Sequence, residues 1–258
     1  MFYSGEQVSQ LLNGQQTTLR SLVDLQRDCT IQGQSIANPM VREHMLHGVG
    51  RRIMVLRRTV ENIFNLFPPS TTKPLPSNIL SDVEISLHAF VMNLYGVFDN
   101  WAWAYYHRHG LHAAIADRRK VGMFSAAMRP FLPTSLREYL ASEVITNWHQ
   151  DYLKNYRDAL AHRIPLYIPP ANFTSEESER YYRLESEKWE SLRARQLDRF
   201  EGICLEQDAI GVASPMFLHS FSEGDELKPV ALHPQVLSDS NTVVEFGTKF
   251  LAHWHESA

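Results

Sequence analysis

In the run Asn155-Tyr156-Arg157-Asp158-Ala159-Leu160-Ala161-His162-Arg163-Ile164-Pro165, a guanidinium, a carboxylate and an imidazole fall within six residues. Cleavage of a phosphodiester asks for such a set: a cation on the phosphoryl oxygens, a titratable base, and a group that orients the base. On a helix, Asp158 and His162 are four apart and share a face, so the carboxylate can accept from one imidazole nitrogen and fix the tautomer. Arg157 stands five before His162, about 140° away around an ideal helix. Two such helices facing one another across a dimer close that gap better than one chain does. A plainer reading stands beside this one. His162 and Arg163 then complement the negative end of the helix dipole, and Arg157 and Asp158 form a solvated pair.

Two further groups bear on the same chemistry. Asp99 and Asn100 interrupt an otherwise apolar segment, and a carboxylate is not buried without partners. They either reach the Arg157–His162 site from a neighbouring helix or tether a loop. Between residues 105 and 131 the cations Arg108, Arg118, Arg119, Lys120 and Arg129 face a single acid, Asp117, with aromatic residues between them. Arg118, Arg119 and Lys120 are the candidate contacts to a nucleic-acid backbone, with a solvated surface loop as the alternative. Arg51, Arg52, Arg57 and Arg58 form a second cluster with the same two readings. His107-x-His109-x-x-His112 and His253-x-His255 lack the carboxylate or cysteine neighbours of a metal site. No glycine-rich phosphate loop, zinc-protease motif or nucleophile elbow is present, so neither metal nor cofactor is expected.

Apolar periodicity places these residues on helices. A first helix is expected over residues 6–27. A second runs over 40–67 and stops at Pro68-Pro69. The third opens at the capping box Ser81-x-x-Glu84 and carries Val83, Leu87, Phe90, Val91, Leu94, Phe98, Trp101, Ala102 and Tyr105 to a stop at Gly110. The fourth opens at Ser135-x-x-Glu138 and ends before Ile164-Pro165, because a residue preceding proline leaves the helical region. Leu166-Tyr167-Ile168-Pro169-Pro170 then lies back as an extended strap. Residues 175–205 read as one charged helix, acidic early and basic late, with Trp189, Leu192 and Phe200 on a narrow buried face. A hairpin turning at Gly224-Asp225 and a last helix from about Thr242 to Trp254 complete the chain. The expected fold class is all-α, an up-and-down helical bundle (residues 1–210) with a small β-hairpin and final helix (211–258) packed on the same domain.

Composition sets the outer limits. The 258 residues are 44% hydrophobic and 21% charged, which suits a folded protein with a sizeable core. A net charge of −4 gives no global attraction to nucleic acid or acidic membrane, so such a partner must meet a local basic patch. Cys29 and Cys204 make neither a disulfide framework nor a zinc site. The start Met1-Phe2-Tyr3-Ser4-Gly5-Glu6 has no signal-peptide pattern, and the longest apolar stretch, residues 89–98, is too short for a bilayer. A cytoplasmic protein is expected.

The segment Tyr156-Arg157-Asp158-Ala159-Leu160-Ala161-His162 resembles the R-polar-x3-to-5-H motif of the HEPN superfamily, small helical bundles of which many are RNases in toxin–antitoxin, CRISPR and other defence systems. Phe98-Asp99-Asn100-Trp101-Ala102-Trp103 and the extension over residues 163–170 are similar to HEPN proteins as well, so the likeness covers roughly residues 81–170. It implies a homodimer that cleaves RNA without a metal. His162 would take the 2′-hydroxyl proton, Arg157 would neutralise the phosphoryl charge, and Asp158 would orient the imidazole. Many HEPN proteins are not nucleases. The alternative is therefore a binding module for RNA, a nucleotide or a protein partner such as an antitoxin.

Overall fold

The stripe from Val83 to Tyr105 has no polar side broad enough to face water, and the fold is built around covering it. A computed structural model describes residues 2–218 and 229–254 and is all-α apart from one two-stranded sheet. The helices are α1 (Gly5–Ser35), α2 (39–66), α3 (Ser77–Arg108), α4 (Thr134–Ala141), α5 (143–162), α6 (Ser175–Arg193), α7 (Leu197–Asp208) and α8 (Leu232–Ala252). The strands β1 (Met216–Phe217) and β2 (Val230–Ala231) pair antiparallel, Met216 opposite Ala231. The expected turn at Gly224-Asp225 lies outside the described residues, as does His255.

α3 is the central rod. Phe90, Leu94, Val97, Trp101, Ala102 and Tyr105 are buried on it, and it packs against α2, α5 and α8. Trp101 and Phe98 meet Phe246 of α8 at ring-centroid distances of 5.0 and 4.9 Å. Residues of α1, Leu22, Leu25 and Cys29, join the same core, as do Leu232, Val236 and Val243 of α8.

Several boundaries differ from expectation, each for a local reason. α3 starts at Ser77 after Pro76, one turn before the Ser81–Glu84 box, because Leu80 packs against the core and extends the helix. Glu84, released from capping, accepts the Ile168 amide at 2.8 Å, while the Leu166 carbonyl meets His88 Nε2 at 2.7 Å. These bonds pin the strap to α3. Residues 175–205 are two helices rather than one. The chain turns back at Arg195, whose φ of 56° breaks the helical path. The buried side of that hairpin is Leu184, Ile203 and Ile210, whereas Trp189 is 50% exposed. α8 begins ten residues before Thr242, since Leu232, His233, Val236 and Leu237 all bury against the bundle. Pro234 falls in its first turn, where no amide is needed.

Two helices contain a π-helical turn. In α2 it is His44–Val49, between Pro39–Glu43 and Gly50–Leu66. In α5 it is Trp148–Leu153, between Glu143–Asn147 and Lys154–His162. Such insertions rotate the side chains that follow them and concentrate at functional sites.

Candidate functional site

The π turn of α5 faces a cleft of about 650 Å³, bounded by α2, α3, α5 and the loop over residues 118–125. Six cations line it, Arg52, Arg118, Arg119, Lys120, Lys154 and Arg157, against one carboxylate, Asp99. On a chain of net charge −4 this is a strong local reversal of sign.

Arg52 is seated by close helix packing. Gly96 of α3 gives it room: a Cβ there would lie 2.4 Å from the guanidinium carbon. Its Nε donates to Asn100 Oδ1 at 2.7 Å and a terminal nitrogen donates to Asn93 Oδ1 at 3.2 Å. Asn100 in turn fits against Gly48 and meets His44 Nδ1 at 3.4 Å. Neutral amides orient Arg52 without cancelling its charge.

Arg157 enters from α5. Its guanidinium lies 4.1 Å over the Tyr95 ring and pairs with Asp158 at 2.9 Å. Its buried Nε finds no acceptor among the described residues. Asp99, on α3, makes no hydrogen bond among them. Burial pushes its carboxyl above the usual range, opposed by Arg157 and Arg52. His149, brought round by the π turn, stacks on Phe124 at 3.7 Å and 12° and on Tyr95 at 5.9 Å. Burial, with Lys154 and Arg157 nearby, lowers its pKa to about 4, so at neutral pH it is an uncharged proton acceptor. In the loop, Asp117 takes both the amide and the side chain of Arg119, leaving Arg118 and Lys120 exposed without an ion-pair partner among the described residues.

The fold thus gathers Arg157, Asp99, Arg118, Arg119 and Lys120, while Asn100 stands behind Arg52. His162 is not with them. It is the last residue of α5, exposed, and forms no hydrogen bond among the described residues. The expected Asp158–His162 contact is absent because Asp158 pairs with Arg157 instead.

Arg52, Lys154 and His149 were not among the expected site residues. Arg52 was visible only as one of a basic cluster, and His149 carries no motif at all. A fourth unforeseen residue, Asp239, supports the site from behind. It is fully buried on α8 and accepts from Trp148 Nε1 at 2.8 Å, Tyr152 Oη at 2.7 Å and Gln235 Nε2 at 2.8 Å. Burial lifts its pKa to about 6 against those three donors. Trp148 and Tyr152 both belong to the π turn, so this carboxylate holds the segment that presents His149.

Among the described residues no group of three or more His, Cys, Asp or Glu is arranged to hold a metal, and no helix is long and apolar enough to cross a membrane. No protein-family model, curated protein or solved structure matches this chain.

Proposed function

We propose that the chain binds RNA by seating its phosphates in the cleft between α3, α5 and the 118–125 loop. The observation that carries this is six cations to one carboxylate around about 650 Å³, with Arg52 held by amides and its charge left free. Phosphate binding to such a surface is driven by release of counterions. Aromatic rings stand among the cations, as single-stranded nucleic acid requires. The resemblance of residues 156–162 to the HEPN motif adds support, with Arg157 as a phosphate ligand. The test is fluorescence anisotropy with a labelled single-stranded RNA. Arg118→Glu/Lys120→Glu should abolish most binding while leaving the melting temperature within a few degrees. Equal affinity in wild type and variant would refute the reading. If instead an acidic protein such as an antitoxin bound there and RNA did not, the cleft would be a protein-docking site.

A second reading, metal-independent cleavage, is favoured by one observation: the neutral imidazole of His149 lines the same cleft as Arg157. In that reaction the base takes the 2′-hydroxyl proton and the 2′-oxygen bonds to phosphorus. The bond to the 5′-oxygen breaks, and that oxygen is protonated by solvent, leaving a 2′,3′-cyclic phosphate. His162 would be the base only in a homodimer that brings its exposed helix end to the cleft of a second copy. Incubation with RNA in EDTA separates the cases. Loss of cleavage in His149→Asn with binding retained supports the cleft, and loss in His162→Ala supports the composite dimer site.

A further inference from the structure

Where Trp103 lines the cleft, it and two neighbouring imidazoles lie nearly parallel. The Trp103 indole of α3 is 5.9 Å from His44 at 13° and 5.7 Å from His107 at 28°, and the two imidazoles are 5.6 Å apart at 17°. Centroids so far apart at such small angles mean offset rings that overlap one another only in part. None of the three is fully buried. The set is held from beneath. Tyr106, buried and bonded through its hydroxyl to the Ile115 carbonyl at 3.2 Å, packs its edge on Trp103 at 5.3 Å. His107 is tied to His112 at 3.2 Å, and His44 to the Asn100 that orients Arg52. The Trp103 indole N–H bonds to none of the described residues.

We propose that this ring set is a base-stacking subsite, taking one unpaired nucleobase of the strand whose phosphates the cleft holds. The inference rests on the RNA-binding reading above. A ring set that served only as core would be covered and would not line the wall of a cationic cleft, as Trp103 does. Every base has a π-face, so the subsite is tolerant of sequence. A duplex does not fit it, because paired bases are already stacked on their neighbours. Phosphate recognition at Arg52 and base recognition at Trp103 are linked through Asn100 and His44.

The experiment compares labelled oligoadenylate with an abasic phosphodiester strand of equal length, in wild type, Trp103→Ala and Trp103→Phe. Wild type should bind oligoadenylate more tightly than the abasic strand. Trp103→Ala should lose about tenfold for oligoadenylate and nothing for the abasic strand, and Trp103→Phe should recover most of the loss. His107→Ala, in the last turn of α3 and only partly buried, should show a smaller loss with the same selectivity and guards against misfolding of the Trp103 variants. Equal wild-type affinity for the two strands, or an equal loss for both in Trp103→Ala, would overturn the subsite while sparing the phosphate cleft. Binding of neither strand would overturn both.

Discussion

Asp239 and Arg157 illustrate what single residues contribute here and how differently they show themselves. Arg157 sits in a run whose types and spacing suggest phosphate chemistry, and its charge does line the cleft. Asp239 sits in Leu237-Ser238-Asp239-Ser240-Asn241, polar enough to look like a loop before a helix, and so its role was hidden. Its three donors come from residues 148, 152 and 235, two of them distant in sequence. Only tertiary packing makes it a partner. Asp239→Ala strands two buried donors, Trp148 N–H and Tyr152 O–H, and should cost about 3 kcal/mol. For a chain this long that is a fall of about 10 °C in melting temperature. A shift under 2 °C in a thermal melt would show that the carboxylate does not hold the π turn.

At the level of elements, the helices that bury a stripe were legible and their ends were not. α3 announced itself because Val83 to Tyr105 recur at helical spacing. Its start was displaced because capping signals compete weakly with burial of one more apolar turn. The π turns were invisible, since periodicity assumes 3.6 residues per turn throughout, and one of them delivers His149. The packing of α2 on α3 through Arg52 depended on Gly96, a residue with no signature of its own. This gives a paired prediction. Gly96→Ala should move only the tip of Arg52, leaving stability within about 1 kcal/mol and weakening RNA binding several-fold. Gly247→Ala places a Cβ 2.7 Å from Leu25 and 2.9 Å from Trp101, within the core. It should cost about 1–3 kcal/mol and leave affinity unchanged once folded. Denaturant midpoints and anisotropy on both variants decide it, and the reverse pattern would contradict the packing account.

Across the whole molecule, charge is segregated. The chain is net acidic, yet the cleft is cationic, and acids gather elsewhere, as in Glu176, Glu177 and Glu179 at the start of α6. Buried titratable groups also make stability depend on pH. His233, bonded to the Phe67 carbonyl at 2.6 Å, and His149 are both lowered to about 4 by burial. Unfolding at pH 5 lets each take a proton the folded form refuses, so their stabilisation is lost as pH falls from about 6.5. Asp239, raised to about 6, works the other way, since its contribution is lost as pH rises through 6. Two protons gained less one lost leaves a net uptake of one, or about 1.4 kcal/mol per pH unit. His44, His107 and His109, all lowered chiefly by burial, act with the histidines, and Asp99 acts against them. Stability should therefore rise from pH 4 to 6, and His233→Gln should flatten that rise. A flat wild-type profile in chemical denaturation would contradict it.

The most direct test of the central claim is the salt dependence of RNA binding. Four of the cleft cations, Arg52, Arg118, Lys120 and Lys154, have no carboxylate partner among the described residues. If each neutralises one phosphate of a single strand, log K should fall against log salt with a slope of about −3. Arg118→Glu/Lys120→Glu should bring that slope close to half. A wild-type slope near zero, or one untouched by the double variant, would mean that the cleft does not hold the phosphates of RNA.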